Sequence, residues 1–338
     1  MTRQNAEMMR FFNKLTPEQK DLFIQQAKSA VGGNDEVAPE KCPRCNVEKN
    51  FVKFGRKNNK QRYRCGACNA IFTARTGTAL TYSHSDENEW LEVITDTLSG
   101  VSLRKTADNL GKSVGKVYAM RRLILNAIET YIEQSGITLD GIVEVDDTYF
   151  LKSVKGTKIP SNYSRKPRKH GAKASKRGIS KDLVSVNVGV ARGGSTYAKS
   201  VNLGKPSVNN VVDVFGNVID GDAIVYCDGA NSYLSAFSDL ATVQQAGRYG
   251  LKTKGLHINT VNQAHTQLKQ RIENIYHGVA TKYLNKYSAM MAFIFRQSNK
   301  VAEQADFIFN LLKVVSRDYR IKIADLAEHN ILDLGQLV

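Results

Sequence analysis

Four of the five cysteines fall in two pairs, Cys42-Pro-Arg-Cys45 and Cys65-Gly-Ala-Cys68, separated by 19 residues. Zinc takes four soft ligands in a tetrahedron, and a two-residue gap lets one knuckle supply two thiolates. Two disulfides are the alternative, which a reducing cytosol disfavours. A segment of about 40 residues also has little core of its own without a metal. Four thiolates leave no open position, so such a zinc ion would be structural. A second constellation is acidic. In Ile142-Val-Glu-Val-Asp-Asp-Thr-Tyr-Phe150 the residues alternate like a strand, with Glu144 and Asp146 on one face and Val143, Val145 and Asp147 on the other. Ala223-Ile-Val-Tyr-Cys-Asp228 is another apolar strand ending on an aspartate. A carboxylate in such a strand is costly to bury unless paired or bound to metal. Two strands delivering Asp146 and Asp228 toward one end are what metal-dependent phosphoryl transfer needs, with two ions about 4 Å apart. Hard oxygen ligands suit Mg²⁺ or Mn²⁺. An aspartate that merely begins a turn is the plainer reading of each alone. Asn262, His265 and Lys269 lie on one face of a later helix, at offsets of three and seven. That face could complete a metal site or simply be polar and solvated. Cys227 reads as a buried, inert thiol.

The elements that must position these groups follow from periodicity. Residues 1 to 40 read as a helical lead-in, with Thr16 as cap and Pro17 in the first turn. Residues 41 to 78 form a zinc ribbon, with strands at 51–54, 62–64 and 70–73. Its basic side chains, Arg44, Lys49, Lys53, Arg56, Lys57, Lys60, Arg62 and Arg64, suit DNA contact or a solvated face. Residues 85 to 135 read as helices divided at Gly100 and Gly111, the outline of a helix-turn-helix or of a small bundle. In the first reading Lys112, Lys116, Arg121 and Arg122 would meet DNA. Residues 139 to 300 form an α/β domain, interrupted at 152 to 181 by a stretch with eleven Lys or Arg and no Asp or Glu. That stretch holds Arg165, Lys166, Arg168 and Lys169 and reads as a basic loop able to lie along a phosphate backbone. Strands at 183–190 and 196–201, a helix at 208–219 and a helix from about His257 follow. The last carries the stripe Ile258, Val261, Ala264, Leu268 and Ile272. Residues 301 to 338 form a helical tail.

The chain has 338 residues, enough for two or three structural units, and is 42% hydrophobic and 24% charged, a globular composition. Its formal net charge of +16 calls for a polyanionic partner. Nucleic acid and an anionic membrane both fit the charge, but nothing reads as a basic amphipathic membrane helix. No run of 18 apolar residues suggests a membrane span, and the first residues lack the apolar stretch of a signal peptide. A cytoplasmic address is the expectation.

Taken in order, these pieces resemble a known family. They are the four-cysteine ribbon, the helical linker, Glu144-Val-Asp146-Asp-Thr-Tyr149, Val225-Tyr-Cys-Asp228-Gly, His257-Ile-Asn-Thr-Val-Asn262-Gln-Ala-His265-Thr-Gln-Leu-Lys269, and Gly278-Val-Ala-Thr-Lys-Tyr-Leu-Asn-Lys-Tyr287. The chain is similar over residues 40 to 297 to bacterial zinc-ribbon transposases of insertion-sequence family 1595. The resemblance implies an α/β multidomain protein with a ribonuclease-H-like mixed-sheet catalytic domain. Asp146, Asp228 and Asn262 would be the metal-binding triad, with Asn262 where many relatives carry Glu. Lys269 would touch DNA near the reacting strand, and Glu144 and His265 would support the site. The implied cofactors are structural Zn²⁺ and catalytic Mg²⁺ or Mn²⁺. The implied partners are double-stranded DNA, as transposon ends and target, and further copies of the chain on that DNA, at the bacterial nucleoid and not at a membrane. The implied reaction is cleavage at the element's ends, followed by attack of the freed 3′-hydroxyl on target DNA. An inactive descendant that only binds DNA, and a ribonuclease-H-like nuclease or resolvase that cuts without joining, are the competing readings.

Overall fold

A computed structural model describes residues 39–57, 60–134, 136–156, 174, 176–238, 240–245, 257–296 and 301–315. The expected lead-in helix with Thr16 and Pro17, the tail beyond 315, and Arg165, Lys166, Arg168 and Lys169 lie outside the described residues. The chain divides into two compact units, one of Met1–Ser85 with Phe309–Arg320 and one of Asp86–Ile308 with Ile321–Val338.

The first unit carries an antiparallel three-stranded sheet of β1 (Phe51–Lys57), β2 (Lys60–Cys65) and β3 (Ile71–Phe72), in that order. The pleat sorts its side chains. Phe51, Tyr63 and Phe72 face inward with Cys42 and Cys65, and the Phe51 ring lies edge-on to Tyr63 and Phe72 at 5.6 and 5.4 Å. Val52 and Ile71 on the other face are exposed. The register slips between Lys53 and Arg56, where Gly55 takes a φ of +67°, a conformation that favours glycine.

The second unit opens with three helices. In α1 (Glu87–Ser99) the Asp86 side chain accepts from the Glu89 amide at 2.9 Å, and Gly100 closes the far end. Ser102 caps α2 (Leu103–Leu110) in the same way. After Gly111, α3 (Val114–Gln134) runs unbroken for 21 residues and buries Val117, Met120, Ile124 and Ile128. The expected DNA contacts at Arg121 and Arg122 are corrected here. Both side chains are buried. Arg121 donates to Thr97 Oγ1 at 3.1 Å and Val101 O at 2.8 Å, tying α3 to the end of α1. Arg122 sits over the rings of Tyr118 and Tyr283 at 5.7 and 5.5 Å. The α3 face that carries them packs inside the unit, so neither guanidinium is presented to a phosphate. Lys112 pairs with Glu89 at 2.6 Å, and Lys116 lies near the start of α3.

A five-stranded mixed sheet follows, in the order β6-β5-β4-β7-β8, from β4 (Ile142–Leu151), β5 (Leu183–Ala191), β6 (Thr196–Leu203), β7 (Ile224–Cys227) and β8 (Thr242–Gln245). β4, β5 and β6 pair antiparallel, while β4, β7 and β8 pair parallel. The parallel members need crossovers, which α4 (Val208–Phe215) and α5 (Asn231–Phe237) supply. The helix expected over 208–219 thus ends at Phe215, and residues 216–218 turn back toward the sheet. A Cβ at Gly189 of β5 would lie 2.7 Å from Leu139 Cδ1 and 2.8 Å from Phe215 Cε1, so glycine is what permits that approach. Phe150 of β4 and Val184, Val186, Val188 and Val190 of β5 pack against Val261, Ala264 and Leu268 of α6 (Asn259–Lys269). Leu284 and Met291 of α7 (Leu284–Arg296) join the same cluster. A π-helical turn, Gln270–Ile275, extends α6, and α8 (Val301–Val314) follows α7.

Candidate metal centres

In the first unit the four cysteines converge. Cys42 Sγ and Cys68 Sγ are 3.6 Å apart, as are Cys45 Sγ and Cys65 Sγ. All four sulfurs lie within 4.8 Å of one another. The cysteines are free, so the disulfide alternative is excluded here. Four thiolates about 2.3 Å from one zinc ion would stand about 3.8 Å apart, close to the observed spacing. Burial raises the Cys42 thiol, but hydrogen bonds from the Cys45 and Arg44 backbone outweigh it and bring it down to about 6. Among the described residues this is the one cluster of three or more His, Cys, Asp or Glu ligand atoms at such range.

The second centre lies where β4 and β7 run side by side. Glu144 pairs with Tyr226 in parallel register; Asp146 stands two residues further along β4, and Asp228 directly follows the last residue of β7. Both therefore lie toward the same end of the parallel pair, and the Asp228 charge is felt at Asp146. Each is held in the same manner. Asp146 Oδ1 accepts from the Asp147 amide at 2.8 Å, and Asp228 Oδ1 accepts from the Ala230 amide at 2.9 Å. In both, Oδ2 is the oxygen that these amides do not engage. Burial pushes the Asp146 carboxyl up to about 7, the charges of Asp147 and Asp228 add to this, and Lys269 opposes it. A cation between such oxygens would reverse that penalty, so the donor set fits a hard divalent ion.

α6 lies over this edge. His265 Nδ1 is 3.7 Å from Asp146 Oδ2. Burial, and then the charge of Lys269, lowers His265 to about 4, which keeps the imidazole neutral. Lys269 is exposed one turn further on, and Asn262 is exposed one turn earlier on the same helix. The expected face of Asn262, His265 and Lys269 is therefore helical, and its middle member meets Asp146. Glu144 is fully buried and ion-paired to Arg192 Nε at 2.7 Å.

On the opposite face of β4, Asp147 lies beside the hydroxyls of Tyr149 and Tyr233, and its carboxyl is raised by burial. Asn187 Nδ2 donates to Tyr233 Oη at 2.8 Å. Arg192, Tyr233 and Asn187 carried no signal in the sequence: Arg192 follows a strand end, and the other two look like ordinary strand and helix residues. The Cys227 thiol is buried and raised, consistent with inertness.

The second centre is thus two aspartates toward one end of a mixed sheet, near a helix that carries His265 and Lys269. Residues 138–296 match the model of the ISXO2-like transposase domain. The chain is 26% identical over 274 residues, 77% of its length and 88% of the relative's, to an uncharacterised protein in the transposable element ISH50 of Halobacterium salinarum. A pre-cleavage Mos1 transpososome structure matches at 10% identity over 62% of this chain and 74% of that one, with a TM-score of 0.20, too low to bear on the fold. The matched domain is that of insertion-sequence family 1595 transposases, and the similarity to it covers a little under half of the chain. Among the described residues no helix is long and apolar enough to cross a membrane.

Proposed function

We propose that the chain binds the ends of its insertion sequence, cuts them and joins them to target DNA, in a cytoplasm where that DNA is accessible. The parallel β4–β7 pairing supports this reading: Asp146 lies two residues beyond Glu144 on β4, Asp228 follows the end of β7, and the Asp228 charge acts on Asp146. The sheet order and its covering helices fit the ribonuclease-H-like fold that the family resemblance implies.

Asp146, Asp228 and Asn262 would hold Mg²⁺ or Mn²⁺. When bound, the metal supplies an activated water or 3′-hydroxyl and neutralises charge on the leaving oxygen. The chain's own groups do the rest. The Asp147 and Ala230 amides fix the two carboxylates before any ligand arrives, and His265 stays neutral against Asp146. Lys269 presents a cation at the mouth of the site, where a scissile phosphate would lie. Catalysis then comes from positioning and charge neutralisation, without a covalent enzyme intermediate. The four cysteines would bind structural zinc. The ribbon, the α2–α3 pair with Lys112 and Lys116, and the basic 152–181 stretch would contact duplex DNA, with two or more copies of the chain on paired ends.

The test is a strand-transfer assay on DNA carrying the element's ends, with Mg²⁺ or Mn²⁺. Joined product that disappears in Asp146→Asn and Asp228→Asn supports the reading. Nicked product alone identifies a nuclease or resolvase, and binding without nicking identifies an inactive DNA-binding descendant.

A further inference from the structure

α6, the helix that carries Asn262, His265 and Lys269, has no capping side chain for its second and third amides from its own chain start, where His257 Nδ1 accepts only from the first, Asn259, at 3.4 Å. Ile258 occupies its cap position and makes no side-chain cap hydrogen bond. The amides of Thr260 and Val261, second and third in the helix, are those that a capping side chain ordinarily satisfies. Both donate to Glu144 Oε2, at 2.6 and 3.1 Å. The Thr260 hydroxyl donates to Glu144 Oε1 at 3.0 Å, and Arg192 Nε donates to the same oxygen at 2.7 Å. Arg192 NH2 also donates to the His257 carbonyl at 2.9 Å, fixing the chain just before the helix.

We propose that Glu144 is a helix cap delivered from the sheet, a positioning residue that sets the Asn262–His265–Lys269 face over Asp146. The inference rests on the reading of Asp146 as a catalytic metal ligand. Glu144 stands two residues before Asp146 on the same face of β4, so the strand that holds the carboxylate also holds the start of the helix. A carboxylate suits this place twice over. It meets the helix's amide donors, and its negative charge lies at the positive end of the helix dipole. The same geometry removes Glu144 from the metal-ligand set, because each of its oxygens already accepts from two donors. α6 is thereby clamped at its N-terminus by charge and along its length by Val261, Ala264 and Leu268 in the apolar core.

The experiment compares wild type, Glu144→Gln and Asp146→Asn by amide hydrogen exchange, Mn²⁺ calorimetry and nicking kinetics on end-bearing DNA. A glutamine offers one acceptor oxygen to four donors. Exchange over 259–269 should therefore quicken at least about tenfold while the β4–β5 amides stay protected. Nicking kcat should fall about 10²-fold with KM for DNA within about twofold, as expected when groups are misplaced rather than binding lost. Mn²⁺ stoichiometry should match wild type in Glu144→Gln and fall in Asp146→Asn. Unchanged exchange over 259–269, unchanged kcat, or loss of a metal ion in Glu144→Gln each overturns the proposal. If Glu144→Gln does not fold, Thr260→Val is read by the same exchange: faster exchange confined to the start of α6 supports the cap, and none overturns it. Nicking that survives in Asp146→Asn would instead bring down the functional reading, while the exchange data would still decide the cap.

Discussion

The two candidate metal centres are assembled in opposite ways. In the ribbon, each pair of cysteines is three residues apart in sequence, so two local knuckles make most of the site and only the pairing of the knuckles is long-range. At the carboxylate centre, Asp146 and Asp228 are 82 positions apart (228 minus 146) and are brought to the same end of the sheet by the parallel pairing of β4 with β7. Soft thiolates have little cost in clustering once a cation binds them. Burying Asp146 carries a cost, visible in its upward shift, to which the neighbouring carboxylates add a smaller part. The cluster around the cysteines has only four buried residues, two of them thiols, so a metal bound there would contribute much of its stability. The larger unit has an apolar cluster that holds β4 and β5 against α6 without a metal.

That contrast yields ordered expectations. Zinc removal should have the largest effect. Structural zinc is worth about 10–16 kcal/mol in comparable small sites, so a chelator or Cys42→Ser should melt the ribbon while circular dichroism still reports the folded second unit. Concerted loss of both units would break the comparison. Next comes Asp146→Asn, which should reduce nicking about 10³-fold, about 4 kcal/mol, and leave zinc content at one per chain. In chelator the same variant should melt at or above the wild-type temperature, because a buried carboxylate is replaced by a neutral isostere; a marked drop would show that Asp146 stabilises the metal-free fold. Arg121→Met should cost about 1–3 kcal/mol by leaving the Thr97 hydroxyl and Val101 carbonyl without their donor, with DNA affinity within about twofold. A large loss of affinity in still-folded protein would return Arg121 to the DNA surface. Gly189→Ala should cost about 1–3 kcal/mol through contact with Leu139 and Phe215, read by denaturant melting, and leave the ribbon untouched. Lys112→Ala should change stability by under about 1 kcal/mol, since its pair with Glu89 is partly exposed.

Much of this was legible before any coordinates. The Cys-x-x-Cys pairs, the alternation of β4, the apolar approach to Asp228 and the 3.6-residue stripe of α6 are local patterns, and local patterns survive in one dimension. The strands β1 to β3 and the helices α1 to α3 fell close to where their caps and glycines put them. Arg121 and Arg122 show the limit. A cation on a helix after a turn looks like a DNA contact, but burial depends on what packs beside that helix, here the end of α1 and the Tyr283 ring. β8 and α5 were not expected, being four and seven residues long with little periodicity to display.

The sequence by itself determined the ligand types and the helix that carries Lys269, because spacing along a chain dictates which side chains share a face. The tertiary structure alone decided that Asp146 and Asp228 lie toward one end of the β4–β7 pair, that His265 leans on Asp146, and that Glu144 accepts from the start of α6. Those three depend on strand register and on one helix packing over another element. Both are set by the summed burial of apolar side chains far apart in the chain, which no local window contains.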